Sequence, residues 1–100
     1  MSTQDKIIEK SKLDLAQPKK YKVILHNDDV TPMEFVIELL INVFNHTSER
    51  AEAITTSIHL EGAGIAGVYY FEIAEQKMQE GVIASRSMSF PLVFEIEEEL

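Results

Sequence analysis

The stretch His26-Asn27-Asp28-Asp29-Val30-Thr31-Pro32-Met33-Glu34-Phe35 leaves this chain little conformational freedom. An alternating apolar run ends where it begins, and an apolar run of helical period starts where it ends, so a strand must give way to a helix within a few residues. Asn and Asp at a strand end favour a turn, because their side chains bond the backbone one or two residues ahead. Thr31 then reads as an N-cap, Pro32 as the first helical residue and Glu34 as the partner that completes a Thr-x-x-Glu capping box. Asn and Asp side chains held rigidly beside the apolar face of Met33 and Val36 suit a ligand with one cationic and one apolar part.

The rest of the chain is arranged about that turn. Lys20 to His26 alternates Tyr21, Val23 and Leu25 against Lys22, Ile24 and His26, which predicts a strand with His26 as its end residue. Phe35, Val36, Leu39, Leu40, Val43 and Phe44 recur at helical spacing, predicting a helix through about Phe44. Asn45-His46-Thr47 breaks it, and Ser48 with Glu49 starts a second helix that turns Ala51, Ile54, Thr55 and Ile58 inward and ends near Glu61-Gly62. Ala63 to Tyr70 suggests a second strand, and a third helix from about Phe71 places Ile73, Ala74, Met78 and Val82 on one side. Gly81 either ends that helix or sits inside it at a cost of about 1 kcal/mol relative to Ala. Ser85 to Ser89 reads as a polar connection, Pro91 opens a third strand over Leu92 to Glu97, and Glu97-Glu98-Glu99 reads as a solvated end.

The order βααβαβ predicts an α+β fold: a single domain with a small three-stranded, mainly antiparallel sheet packed against three helices. Residues 1–20 are polar and Lys-rich with apolar residues at no regular period, and are read as a flexible N-terminal arm before a folded domain over 21–100. One hundred residues, 45% of them apolar, suffice for one core and leave no room for a second domain. The absence of cysteine excludes disulfides, thiolate metal sites and cysteine catalysis. No run approaches the roughly 18 apolar residues of a membrane span and no secretory signal is evident, so a soluble cytoplasmic protein without membrane partners is expected.

Charge is divided unevenly. Residues 1–22 carry six Lys against Asp5, Glu9 and Asp14, a net +3, whereas the remainder carries three basic and fourteen acidic residues, a net −11. A surface of that sign repels phosphate backbones and attracts cationic peptide ends or a basic protein face, which argues against nucleic-acid binding.

Tyr21-Lys22-Val23-Ile24-Leu25 with Asn27-Asp28-Asp29 and Thr31-Pro32-Met33-Glu34-Phe35-Val36 closely resembles the ClpS family of N-degron adaptors. Ile58-His59 with Gly62 and Gly67, and Pro91-Leu92, fall at the family's spacing, and the resemblance runs without gaps from about Tyr21 to about Glu97. It implies a non-catalytic adaptor, without cofactor or metal, whose fold shares the topology of the ribosomal stalk protein's C-terminal domain. It further implies a pocket for a first residue that is Leu, Phe, Tyr or Trp. Asn27, Asp28 and His59 would take the free α-amino group, and Leu25, Asp29, Thr31, Met33, Val36, Thr55, Ile58 and Leu92 would line the side-chain pocket, with Asp29 at its edge. Thr55 stands where many bacterial members carry Met, which implies a roomier pocket that tolerates Ile or Val.

The resemblance also implies a second surface, at Glu72 and Lys77, for the N-terminal domain of a ClpA-type AAA+ unfoldase acting with ClpP, and a role for the arm in substrate hand-over. A monomer is expected. Two other readings of the same residues stay open. Asp28, Asp29, Glu34 and His59 could hold a divalent ion, although adjacent carboxylates tend to point apart and no nucleophile or Gly-rich phosphate loop accompanies them. The domain could also act as a plain interaction module through its helix surface.

Overall fold

The computed structural model describes residues 18–100; the expected arm lies outside the described residues apart from Pro18, Lys19 and Lys20. Six elements follow one another: β1 (Lys20–His26), α1 (Met33–Asn42), α2 (Ser48–Glu61), β2 (Ala63–Tyr70), α3 (Phe71–Ser87) and β3 (Val93–Glu98). The expected α+β class and βααβαβ order hold. The sheet order is β2-β1-β3 with both pairings antiparallel, so the first strand is the central one. Its inward residues Val23 and Leu25 are fully buried, as the alternation requires.

Core formation follows the apolar spacing of each helix. Val36, Leu39 and Leu40 of α1, Ala51 and Ile58 of α2 and Ala74 of α3 join Val23, Leu25, Phe44, Ala66 and Leu92 in one cluster. α1 stops at Asn42, short of the expected Phe44, although Phe44 stays buried. Its end is closed by Val43 N–H on the Leu39 carbonyl and His46 N–H on the Leu40 carbonyl. Asn45 takes a left-handed φ of 61°, which a short polar side chain tolerates. Thr47 caps α2, its hydroxyl accepting from Arg50 N–H at 3.2 Å. Gly62, at φ 92°, ends that helix in the left-handed region where a side chain would be strained.

Four local expectations are corrected. Thr31 does not cap α1: Pro32 holds the cap position with no side-chain cap bond, and Thr31 turns back to Asp28. An ionised carboxylate is a stronger partner for the Thr31 hydroxyl than a backbone N–H of the first turn would be. The polar stretch beginning at Ser85 is not a connection, because α3 continues to Ser87 and Ser85 is buried with its hydroxyl donating to the Gly81 carbonyl at 2.7 Å. The buried stripe of α3 is Ala74, Gly81 and Ser85, while Ile73 remains 44% exposed. Finally, β3 runs from Val93 rather than Leu92 and takes in Glu98, read as part of a solvated end, which meets Lys19 (3.3 Å), while Glu97 lies in the strand as its alternation predicts and faces Lys22 (Nζ to Oε1 3.9 Å).

Small residues on α3 let it lie close to the sheet. A Cβ built on Gly81 would sit 2.5 Å from the Phe94 ring, so the interior glycine is required by packing rather than by a helix end. Pairing across the sheet carries one irregularity: Val23 faces Gly67 and Ile24 faces Ile65, leaving Ala66 as an unpaired bulge residue on β2. The Ala66 carbonyl accepts instead from the His46 ring.

Gly81→Ala should destabilise the domain in spite of its higher helix propensity. Overpacking costs about 1–3 kcal/mol against a propensity gain of about 1 kcal/mol. Adding Phe94→Leu should recover part of the loss in urea melts; a stabilised single variant would contradict the tight approach of α3 to β3.

Candidate functional site

Antiparallel pairing on both sides of β1 gathers several segment ends at one corner. His26, the last residue of β1, faces Ala63 on β2 and Val93 on β3. Leu92 therefore lies beside the end of β1, and so does the last turn of α2 that carries Ile58 and His59. Asn27 N–H donates to the Gly62 carbonyl at 2.8 Å, and Gly62 N–H donates to Ile58, which ties the start of the turn to the end of α2. The far end of α3 joins the corner through an edge-to-face pair between Phe35 and Phe90, with ring centroids 4.9 Å apart.

Asp28 organises the turn. Its Oδ1 accepts from Val30 N–H at 2.8 Å and Thr31 N–H at 2.7 Å, and its Oδ2 accepts from the Thr31 hydroxyl at 2.8 Å. Partial burial pushes this carboxyl up, but the Thr31 and Val30 bonds and the nearby Arg86 charge outweigh it and hold the group below its ordinary 3.8. A carboxylate offers about four acceptor positions, so three loop bonds leave one for an outside donor. Asn27 and His59 are exposed.

The apolar residues divide into floor and rim. Leu25, Val36, Thr55, Ile58 and Leu92 are all no more than 5% exposed, whereas Met33 is 40% exposed, Asp29 is exposed and Thr31 half-buried. Two surface clefts are lined by other residues. One, of about 590 Å³, is lined by Pro18, Lys19, Tyr21, Tyr70, Phe71, Glu72 and Ile73. The other, of about 410 Å³, runs along α2 and β2 between Arg50 and Ile65. None of the expected lining residues walls either cleft: Leu25, Val36, Ile58 and Leu92 pack into the core, while Met33 and Asp29 stay exposed. Among the described residues, Thr55 Oγ1 is the one buried side-chain polar atom without a hydrogen-bond partner.

Glu72 and Lys77, expected together at a second surface, differ in their surroundings. Five residues put them about 140° apart around a helix. Glu72 is exposed in the first turn of α3, whereas Lys77 is half-buried and donates from Nζ to the Val43 carbonyl at 2.7 Å. Sequence reasoning missed Arg86, whose guanidinium donates to the Phe90 carbonyl at 2.8 Å and whose charge reaches Asp28. Its signal was present as the one basic residue in the last turn of α3, but the helix had been expected to stop before it. His26, expected only to end a strand, pairs through Nε2 with Glu95 Oε1 at 2.8 Å. Among the described residues no group of three or more His, Cys, Asp or Glu is placed to hold a metal ion, and no helix is long and apolar enough to cross a membrane.

Fold and corner together define a small α+β domain whose strand and helix ends meet at one carboxylate-ordered turn, and comparison with known proteins gives its family. Residues 16–95 match the family model described as ATP-dependent Clp protease adaptor protein ClpS. A protein of Campylobacter jejuni subsp. jejuni named ATP-dependent Clp protease adapter protein ClpS is 48% identical over 85 residues, covering 85% of this chain and 88% of its own. The protein of the same name from Clostridium acetobutylicum is 52% identical over 83 residues, 83% of this chain and 82% of its own. Agrobacterium tumefaciens ClpS2, solved bound to L-phenylalaninamide, superposes with a TM-score of 0.80 at 37% identity, covering 83% of this chain and all of that one. The chain belongs to the ClpS family, adaptors of the Clp protease that are not themselves enzymes.

Because the folded carboxyl of Asp28 lies below its unfolded value, its contribution to stability is complete above 3.8 and is lost as pH falls through the lower folded value. Asp28→Asn keeps an acceptor for the loop N–H groups and removes the charge. It should narrow the stability difference between about pH 5 and about pH 2.5 in chemical melts, relative to wild type. An unchanged difference would remove Asp28 from the acid sensitivity of the domain.

Proposed function

We propose that this protein binds the free α-amino group and bulky apolar first side chain of N-degron substrates and delivers them to a ClpA-type AAA+ unfoldase acting with ClpP. The observation that carries the reading is the convergence of Asn27, Asp28 and the His59-bearing turn of α2 at one corner, next to a buried apolar floor. A protonated amine needs acceptors in three directions. The Asn27 carbonyl oxygen, the open acceptor position of the Asp28 carboxylate and a neutral His59 ring nitrogen provide them. The L-phenylalaninamide carried by the Agrobacterium relative has that combination of free amine and apolar side chain, which supports the same reading here.

The side chain of the guest enters past Met33, which is 40% exposed and flexible, toward the buried Val36, Ile58 and Leu92. Leu25 and Thr31 bound the pocket on the strand and turn side, Thr55 on the α2 side, and Asp29 marks its edge. The wider pocket implied by Thr55 in place of Met admits Ile and Val in addition to Leu, Phe, Tyr and Trp. Burial of a Leu or Phe side chain contributes about 1.5–3 kcal/mol, comparable with each charge-assisted bond to the amine. Exposed Glu72, with Tyr70, Phe71 and Ile73 around it, provides the face toward the unfoldase, and Lys77 supports that face from its bond to Val43.

Fluorescent peptides starting with Leu or Phe should bind with a free amine and fail when acetylated. Asn27→Ala or His59→Ala, both at exposed positions, should weaken binding by about one to two decades without lowering the melting temperature. Equal binding of acetylated and free peptides would reject the amine site.

A further inference from the structure

We infer that the Thr55 hydroxyl selects among first residues, favouring tyrosine and tryptophan, which carry a hydrogen-bonding atom on the ring, over phenylalanine and leucine. The inference rests on the peptide-binding reading above and gives its pocket a polar preference. Thr55 lies three and four residues before Ile58 and His59 on α2, hence one turn away on the same side of the helix. It is 2% exposed, and its Oγ1 has no partner among the described residues.

Two hydroxyls of α3 close on their own backbone, whereas Ser48, Thr56 and Ser57 of α2 are exposed and can be met by water. Ser85 donates to the Gly81 carbonyl and Ser87 to the Ala84 carbonyl, each at 2.7 Å. Thr55 does not use the corresponding Ala51 carbonyl, so its hydroxyl is directed elsewhere. A buried hydroxyl without a partner destabilises the free protein, and Val would occupy nearly the same volume without that cost. Local rules of this kind are broken most often at functional sites. A tyrosine hydroxyl can donate to or accept from Thr55, and an indole N–H can donate to its oxygen. A phenylalanine or leucine side chain offers it no partner and leaves the hydroxyl as unmet as it is in the free protein, so the preference comes from the bond that only tyrosine and tryptophan supply.

The test compares dissociation constants of four free-amine peptides identical except for a first residue of Tyr, Trp, Phe or Leu, on wild type, Thr55→Val and Thr55→Ser. Wild type and Thr55→Ser should prefer Tyr over Phe, and the preference should fall by about fivefold or more in Thr55→Val. Thr55→Val should melt no lower than wild type. If it melts lower, Thr55→Ala, which lacks the same hydroxyl, carries the comparison. A Phe-to-Tyr ratio that is the same with and without the hydroxyl overturns the inference. Wild type that binds none of the four fails the underlying peptide-binding reading, a different result from binding all four without preference.

Discussion

The ring of hydrogen bonds on the Asp28 carboxylate is the interaction on which the candidate site depends. Two backbone N–H groups and one hydroxyl converge on it from the next three residues, so the chain leaves β1 and enters α1 by one defined path. Had Thr31 capped the helix, the carboxylate would have faced solvent with fewer partners and its charge would have been less well placed. The same charge that orders the turn is available to a positively charged guest. Preorganisation of this kind removes part of the entropic cost of binding, because the loop is already held before any ligand arrives.

Fold and site share residues here. Leu25, Val36, Ile58 and Leu92 belong to the hydrophobic cluster and are also among the residues proposed to line the side-chain pocket. Truncating any of them is a core substitution with a cost of about 2–5 kcal/mol, so losses of function at these positions report packing as much as recognition. The exposed polar residues are the cleaner probes. The strongly acidic balance of the domain favours cationic partners of the kind the proposed function requires.

Much of this was legible in the residues alone. The limits of β1, α2 and β2 follow from alternation and from Gly62, and the corner at Asn27-Asp28 follows from turn chemistry. What escaped was governed by partners distant in sequence. Gly81 and Ser85 lie inside α3 because Phe94, on the next strand, requires a small residue opposite its ring. Lys77 leaves the solvated face because a carbonyl at the end of α1 offers it a bond, and Arg86 comes near Asp28 only once α3 is known to run its full length. Hydropathy also misplaced Ile73, since close approach to the sheet selects small side chains over large apolar ones.

Both margins of the sheet are blunted, by different means. β3 presents Glu95, Glu97 and Glu98, and β2 carries the bulge at Ala66 with its carbonyl already taken by His46. Charge on one side and a broken ladder on the other discourage a foreign strand from adding to the sheet. Under the proposed function that has a practical meaning. An extended chain held by its first residue alone would then be let go, rather than annealing along the carrier and staying there.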